Sequence, residues 1–134
     1  MESRIKLARE RKASGKFNCA QSVACTYADL AGITPETAEA MTNAFGAGMG
    51  NNEGTCGSIV GAGMIIGMVA GDRVKAMKAM RGLMERFAER NGSTTCRHLK
   101  GIGTGVPTRA CNDCVSDASE FLEDTLLTLS REEK

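Results

Sequence analysis

The chain has 134 residues, enough for one domain with a hydrophobic core and too few for two of ordinary size. Its hydrophobic content of 42% excludes a disordered tail, and its 17 basic and 16 acidic side chains give no electrostatic case for binding nucleic acid or an anionic membrane. Aromatic residues make up 4% and tryptophan is absent, so we expect no platform for stacking bases. We predict a single domain over residues 1–134.

The N-terminal segment, residues 1–13, is charged and only weakly amphipathic, and we predict a short helix or a partly ordered arm. It lacks the apolar stretch of a secretory signal, which favours a cytoplasmic location. Cytoplasmic cysteines are normally kept reduced. The six cysteines therefore indicate metal binding or redox chemistry rather than structural disulfides.

Two short helices are predicted next. The first covers residues 18–30, because Asn18 is a good N-cap and Gly32 stands where a C-terminal glycine belongs. The second has Pro35 at its first position and ends near Phe45, where the sequence GAGMGNNEG breaks regular structure.

The segment after Cys56 is predicted to be a central, glycine-rich helix. Its apolar run covers residues 59–71, which is shorter than the ~20 residues that a membrane-spanning helix needs. Gly63, Gly67 and Gly71 recur every four residues, although each glycine costs a helix about 1 kcal/mol relative to alanine. We therefore expect another helix to approach this glycine face closely. Such a face suits a homodimer as well as a monomer.

Two longer helices complete the chain. Residues 72–91 have apolar side chains at helical spacing, and Gly92 follows as a terminator. The last helix is predicted from Cys111 to about Leu129. No segment shows the period-two alternation of a half-buried strand. The predicted fold class is all-α, a compact bundle of about five helices.

Five cysteines lie at four predicted helix beginnings. Cys19, Cys56, Cys111 and Cys114 lie at helices described above, and Cys96 lies three residues after Ser93, a plausible cap of a short helical turn. A helix N-terminus presents unpaired N–H groups and partial positive charge, and both favour a thiolate over a thiol. The same donors would stabilise an anionic iron–sulfur cluster. If these helix ends converge, they form a pocket for a sulfur-rich, anionic centre. Cys25 lies in mid-helix and is predicted to be a core residue.

Charged residues accompany the third of these cysteines. His98 is the only histidine and follows Cys96 by two residues, so it is a candidate ligand or base as well as an ordinary helix-end residue. Arg97, Lys100 and Arg109 add positive charge nearby in sequence.

Three hypotheses for the cysteines follow, of which we favour the first. An iron–sulfur centre for electron transfer or sensing needs four ligands, which Cys19, Cys56, Cys96 and Cys111 supply. A metal-free relay would carry electrons through disulfides, and Cys111-Asn-Asp-Cys114 has dithiol spacing. Structural zinc usually has two short-spaced ligand pairs, and the sequence has one.

Other chemistries have less support. Covalent haem is not expected because the sequence has no C-x-x-C-H. No serine–histidine–acid arrangement is legible, whereas a cysteine-dependent reductase stays open. The sequence does not identify the electron-transfer partner.

The segments around these cysteines resemble a known family. FNCAQSV, TCGSIVGAGMIIG, GSTTCRHLKG and CNDCVSDASEFLED occur in the order typical of the C_GCAxxG_C_C family, which is named for four cysteines and a glycine-containing motif. The resemblance extends from about Gly15 to Leu127. In the motif that contains Gly57 and Gly61, Ser58 replaces an expected alanine.

The resemblance implies a redox role that has been inferred for the family as a whole. Its four cysteines would be Cys19, Cys56, Cys96 and one of the last pair, with Cys111 preferred over Cys114. A similar module in split-Soret cytochromes carries an iron–sulfur cluster beside haem, and only the iron–sulfur part of that analogy applies to this chain.

Overall fold

Helices make up the ordered framework of the chain. The computed structural model describes residues 1–132, and in that part it contains seven α-helices, one 3-10 helix and no strand. The α-helices are α1 Ile5–Ala13, α2 Cys19–Tyr27, α3 Pro35–Thr42, α4 Gly57–Ala70, α5 Arg73–Asn91, α6 Cys96–Lys100 and α7 Cys111–Glu132.

The all-α prediction is confirmed, but the expected number of about five helices was too low. The 3-10 helix Ala28–Ala31 continues α2, and α6 has only five residues. Elements this short do not extend far enough to show an apolar period. A further π-type turn, Gly48–Asn52, interrupts the loop between α3 and α4.

Helix α4 lies at the centre and packs against α2, α5 and α7. Ile59, Ile65 and Ile66 of α4 are fully buried, and they share one core cluster with Phe87 of α5 and Leu122 of α7. This core supports the helix starts that carry the cysteines. None of the helices within residues 1–132 has the length together with the apolar character that a membrane span requires.

The closest helix contact of α4 is with α2. A Cβ atom on Gly61 would lie 2.5 Å from the backbone oxygen of Ala20, a distance at which no real side chain fits. Only glycine at position 61 allows this approach. Gly61 is one of the two glycines of the CGSIVG segment, and this backbone contact explains why that position holds a glycine.

The predicted close approach at the other glycine face is wrong. A Cβ on Gly63 would meet only the flexible end of the Met80 side chain, and Gly67 has no neighbour within 4 Å. Gly71 ends α4 in the left-handed conformation with a φ of 65°. The four-residue spacing of Gly63, Gly67 and Gly71 places them on one face of α4. Spacing alone does not show that the close neighbour, α2, lies instead against the face that contains Gly61.

The N-terminal arm forms a helix that is fixed to the core. The backbone N–H of Arg4 donates to the carboxylate of Glu123 at 2.7 Å, and the Tyr27 hydroxyl donates to the same carboxylate at 2.5 Å. The guanidinium of Arg4 also pairs with Asp29. These contacts attach α1 to both α2 and α7, whereas the sequence left its order open.

Replacing Gly61 with alanine is expected to destabilise the protein. The new Cβ would lie 2.5 Å from the Ala20 oxygen, and two packed backbones must separate to accommodate it. We expect the free energy of unfolding to fall by about 1–3 kcal/mol, measured by urea denaturation followed by circular dichroism.

Gly67→Ala is the matched control in the same helix. No atom lies within 4 Å of its added Cβ, and alanine is favoured over glycine in a helix by about 1 kcal/mol, so stability should rise. If the two variants are equally stable, the assigned contact between α4 and α2 is wrong.

Candidate functional site

One small internal cavity brings together five of the six cysteines. It is lined by Cys19, Cys56, Cys96, Cys111 and Cys114, and its volume of about 20 Å³ gives room for about one water molecule. Four α-helices begin at or directly after these cysteines. The convergence of helix ends that the sequence suggested is therefore present. Both members of the last pair, Cys111 and Cys114, reach the cavity.

Cys19 is positioned by the start of α2. The side chain of Asn18 accepts a hydrogen bond from the Gln21 backbone N–H at 2.7 Å, and the Gln21 side chain accepts from the Asn18 N–H at 2.9 Å. This reciprocal cap fixes the first turn, in which Cys19 is the first residue. A Cβ on Gly57 would lie 3.2 Å from the Cys19 Cβ, so glycine there lets the start of α4 lie against Cys19.

Cys56 and Cys96 directly follow Thr55 and Thr95, which pair in a short antiparallel backbone bridge. The backbone N–H of Cys56 donates to the Thr94 oxygen at 2.8 Å, and that of Cys96 donates to the Gly54 oxygen at 2.9 Å. Each cysteine directly precedes or begins a helix, so the bridge aligns the starts of α4 and α6. This pairing between distant segments has no local signal in the sequence.

A strained loop covers Cys96. Ala47, Met49 and Asn52 have φ values of 49°, 67° and 64°, a left-handed conformation that non-glycine residues rarely adopt. A Cβ on Gly48 would lie 2.4 Å from the Cys96 Cβ, so the loop touches the cysteine directly. Sequence reasoning treated this segment as a simple break between helices. Its dense glycines and asparagines were the available signal, because these residues tolerate left-handed backbone.

Cys111 and Cys19 form an interacting pair of unequal thiols. Hydrogen bonding with the Cys19 thiol, aided by Lys100 and Lys12, lowers the pKa of Cys111 to about 6. The same interaction and burial raise the pKa of Cys19. Ionisation of one sulfur therefore disfavours ionisation of the other. Cys111 is the half-buried member, and Cys19 is buried.

Cys56 and Cys114 form a second, fully buried pair. Hydrogen bonding between the two side chains lowers the pKa of Cys56 to about 7 and raises that of Cys114. The Ser58 hydroxyl lies 3.0 Å from the Cys56 sulfur and supports the thiolate, as do the backbone N–H groups of Ser58 and Ile59. Ser58, the residue that replaces an expected alanine, thus contacts the site.

Of the remaining candidate residues, Cys96 lines the cavity, whereas His98 and Cys25 do not. Burial raises the pKa of Cys96, whose sulfur lies 3.7 Å from the Asn52 side-chain oxygen. His98 is exposed and does not line the cavity, so the structure does not bring it to the thiols. Cys25 lies in a second core cluster outside the cavity and donates to the Pro35 oxygen, which agrees with its prediction as a core residue.

Two cations line the cavity, and only one is neutralised by an acid. Arg109 makes two hydrogen bonds, of 2.9 and 3.1 Å, to the buried carboxylate of Asp117. Lys100 instead donates to the Asn52 side-chain oxygen at 3.1 Å, and within residues 1–132 it forms no ion pair. Lys100 therefore supplies net positive charge to the thiols.

The thiols are suitable metal ligands by their chemistry, but the space between them is too small for a cluster. Thiolates are the usual ligands of iron–sulfur clusters and of structural zinc. In the described residues, however, no three cysteine, histidine or acidic side chains converge closely enough to hold a metal ion as they stand. The space between the thiols holds about one water, so a cluster requires them to move apart.

Comparison with known families agrees with the sequence pattern. The model of the family described as "Putative redox-active protein (C_GCAxxG_C_C)" matches residues 17–125, which include all five cavity cysteines. The chain belongs to this family. Membership in the C_GCAxxG_C_C family confirms the predicted resemblance and supports a redox role. Searches among curated proteins and among solved structures found no match.

Cys111 is expected to react with iodoacetamide with a pH midpoint near 6, because its pKa is lowered to about 6 and the thiolate is the reactive form. The rate would be measured on the reduced protein by mass spectrometry of the Cys111 peptide. Cys19→Ala removes the hydrogen-bond donor and should raise the midpoint.

Cys25→Ala serves as the control for that series, since Cys25 lies outside the cavity and its loss should leave the Cys111 midpoint unchanged. A midpoint at the ordinary thiol value of about 8.5 in the parent protein would contradict the pairing of Cys111 with Cys19.

Proposed function

We propose that the five-cysteine cavity is a thiol–disulfide redox centre, in which Cys111 and Cys19 exchange two electrons with a disulfide or dithiol partner. The observation that carries this proposal is the convergence of the half-buried Cys111 and the buried Cys19 on one small cavity. An accessible cysteine beside a buried one is the arrangement that a nucleophilic and a resolving cysteine need, and the lowered pKa of Cys111 agrees with it.

The first step is attack by the Cys111 thiolate on one sulfur of a partner disulfide. The partner's S–S bond breaks, one partner thiolate leaves, and a mixed disulfide with Cys111 forms. Cys19 then gives its proton to the first partner thiolate and attacks the Cys111 sulfur, which releases the second partner sulfur as a thiolate. The partner is reduced by two electrons, and the protein is oxidised to the Cys19–Cys111 disulfide.

The deeper pair extends this chemistry within the cavity. Cys114 lies three residues after Cys111 on α7 and therefore on the same face of the helix. Cys56 and Cys114 line the same small space, so thiol–disulfide exchange would oxidise them to a disulfide and return Cys19 and Cys111 to thiols. The fully reduced centre would then donate up to four electrons, two from each pair, and Cys96 would remain as a single thiol.

A cysteine-ligated iron–sulfur cluster is the second candidate, favoured by the convergence of five thiols rather than one isolated pair. Cys19, Cys56, Cys96 and either Cys111 or Cys114 would hold it, and it would supply electron transfer. The sequence alone favours this centre. The two interacting thiol pairs favour the disulfide relay, which is why we place it first. Structural zinc stays third.

The deciding experiment combines metal analysis with disulfide mapping. On anaerobically purified protein we expect no stoichiometric iron, sulfide or zinc, and mild oxidation with diamide should form Cys19–Cys111 and Cys56–Cys114, read by non-reducing peptide mass spectrometry. Cys111→Ser should abolish the first disulfide and strongly slow the second, because the buried pair receives its oxidation through Cys111.

Cys25→Ser is the matched control and should give the same two disulfides as the parent. Iron with matching sulfide, and absorption bands that bleach on reduction, would replace the relay with a cluster. Zinc without iron would indicate a structural site.

A further inference from the structure

We propose that the disulfide partner of Cys111 is a small anionic molecule, recognised by the positive charges of Lys100 and Lys12 beside the Cys111 sulfur. This inference rests on the thiol–disulfide function proposed above and names the class of its substrate. Three observations support the inference. They are the unpaired charge of Lys100 beside Cys111, the position of Lys12 near the start of α7, and the small size of the cavity.

Lys100 is built into the site. It is the last residue of α6 and lines the cavity together with Cys111. Its ammonium group is held by the Asn52 side-chain oxygen at 3.1 Å, a neutral partner that orients the charge without cancelling it. Asn52 belongs to the strained loop, so that loop also fixes the position of Lys100.

Lys12 lies near the same helix start but belongs to another helix, α1. Contacts of Arg4 with Glu123 and of Arg9 with Asp113 show that α1 and α7 run in opposite directions. Lys12 follows Arg9 by one turn and therefore lies beside the start of α7, where Cys111 is the first residue. Consistent with this position, the charge of Lys12 favours the Cys111 thiolate.

No carboxylate in the described residues pairs with these lysines. Three carboxylates of the surrounding elements pair with arginines instead: Asp113 with Arg9, Asp117 with Arg109 and Arg90, and Glu53 with Arg97. Glu10, two residues before Lys12 on α1, forms no ion pair within residues 1–132. Within residues 1–132, neither Lys12 nor Lys100 forms an ion pair. An approaching anion therefore meets two cations that have no acidic partner.

The shape of the site favours a small substrate. Cys111 is the only cavity cysteine in the described chain that is partly exposed, and the other four are buried. The cavity behind it has a volume of about 20 Å³. A slender disulfide bearing carboxylates or phosphates can bring one sulfur to Cys111 while its charges stay outside with the lysines.

The reaction with such a substrate balances without a further reagent. Cys111 displaces one anionic thiolate from the disulfide, Cys19 displaces the second, and the proton of Cys19 is taken up by a leaving thiolate. One substrate thiol, one substrate thiolate and the Cys19–Cys111 disulfide are the products. The lysines act in the encounter and in holding the substrate, and they are not themselves consumed or oxidised.

The test compares two reagents that differ in charge. The dianionic disulfide dithiobis(nitrobenzoate) and the neutral disulfide dithiodipyridine are reacted with the fully reduced protein at low ionic strength, with Cys111→Ala as the baseline. We expect the ratio of the two rates to fall about fivefold or more in Lys100→Met and further when Lys12→Met is added. Added salt should lower the parent's ratio.

The ratio of the two rates separates recognition of the reagent's charge from the reactivity of the Cys111 thiolate. Both reagents consume the same thiolate, so a change in the pKa of Cys111 affects both rates and cancels in their ratio. Lys78→Met is the matched control, because Lys78 lies in the groove between α5 and α7 and does not line the cysteine cavity. Its ratio should equal that of the parent.

The outcomes separate this inference from the function on which it rests. If both reagents oxidise Cys111 and the ratio does not respond to the lysine variants, anion recognition is wrong and the thiol–disulfide centre stands. If neither reagent reacts with Cys111, the thiol–disulfide function itself is wrong.

Discussion

The contact between the backbones of α2 and α4 is the constraint on which the rest of the structure depends. Gly57 and Gly61 have no side chains to separate the two helices, so the start of α4 lies directly against the first turn of α2. This contact places Cys56 beside Cys19 before any chemistry is considered. A methyl group at either glycine would move one helix start and open the cavity that the thiols share.

Charge limits what the assembled thiols can do. Five thiols in one small, buried space cannot all ionise, because each thiolate raises the pKa of its neighbours, as Cys56 and Cys111 do for Cys96. Each of the two thiolates with a lowered pKa is instead matched with one thiol that donates to it. Helix N-termini and Lys100 supply the remaining stabilisation, so the site holds negative charge without a buried, uncompensated ion.

Sequence reasoning predicted the parts of this site that local signals encode. Helix caps such as Asn18 mark where a helix begins. These signals predicted the all-α class and the position of the cysteines at helix starts. It did not predict the bridge between Cys56 and Cys96, the glycine face that touches α2, or the position of Lys12. Each of these depends on contacts between segments that are distant in sequence, and such contacts leave no local signal in a single sequence.

The two thiol pKa values also impose an order on the proposed reaction. Cys19 stays protonated while Cys111 is an anion, since hydrogen bonding to that anion is the main cause of its raised pKa. Once Cys111 enters a mixed disulfide, its negative charge is gone and this cause is removed. Lys12 then favours the Cys19 thiolate, which becomes a nucleophile only when there is a mixed disulfide for it to resolve. The same hydrogen bond thus activates the first cysteine and delays the second.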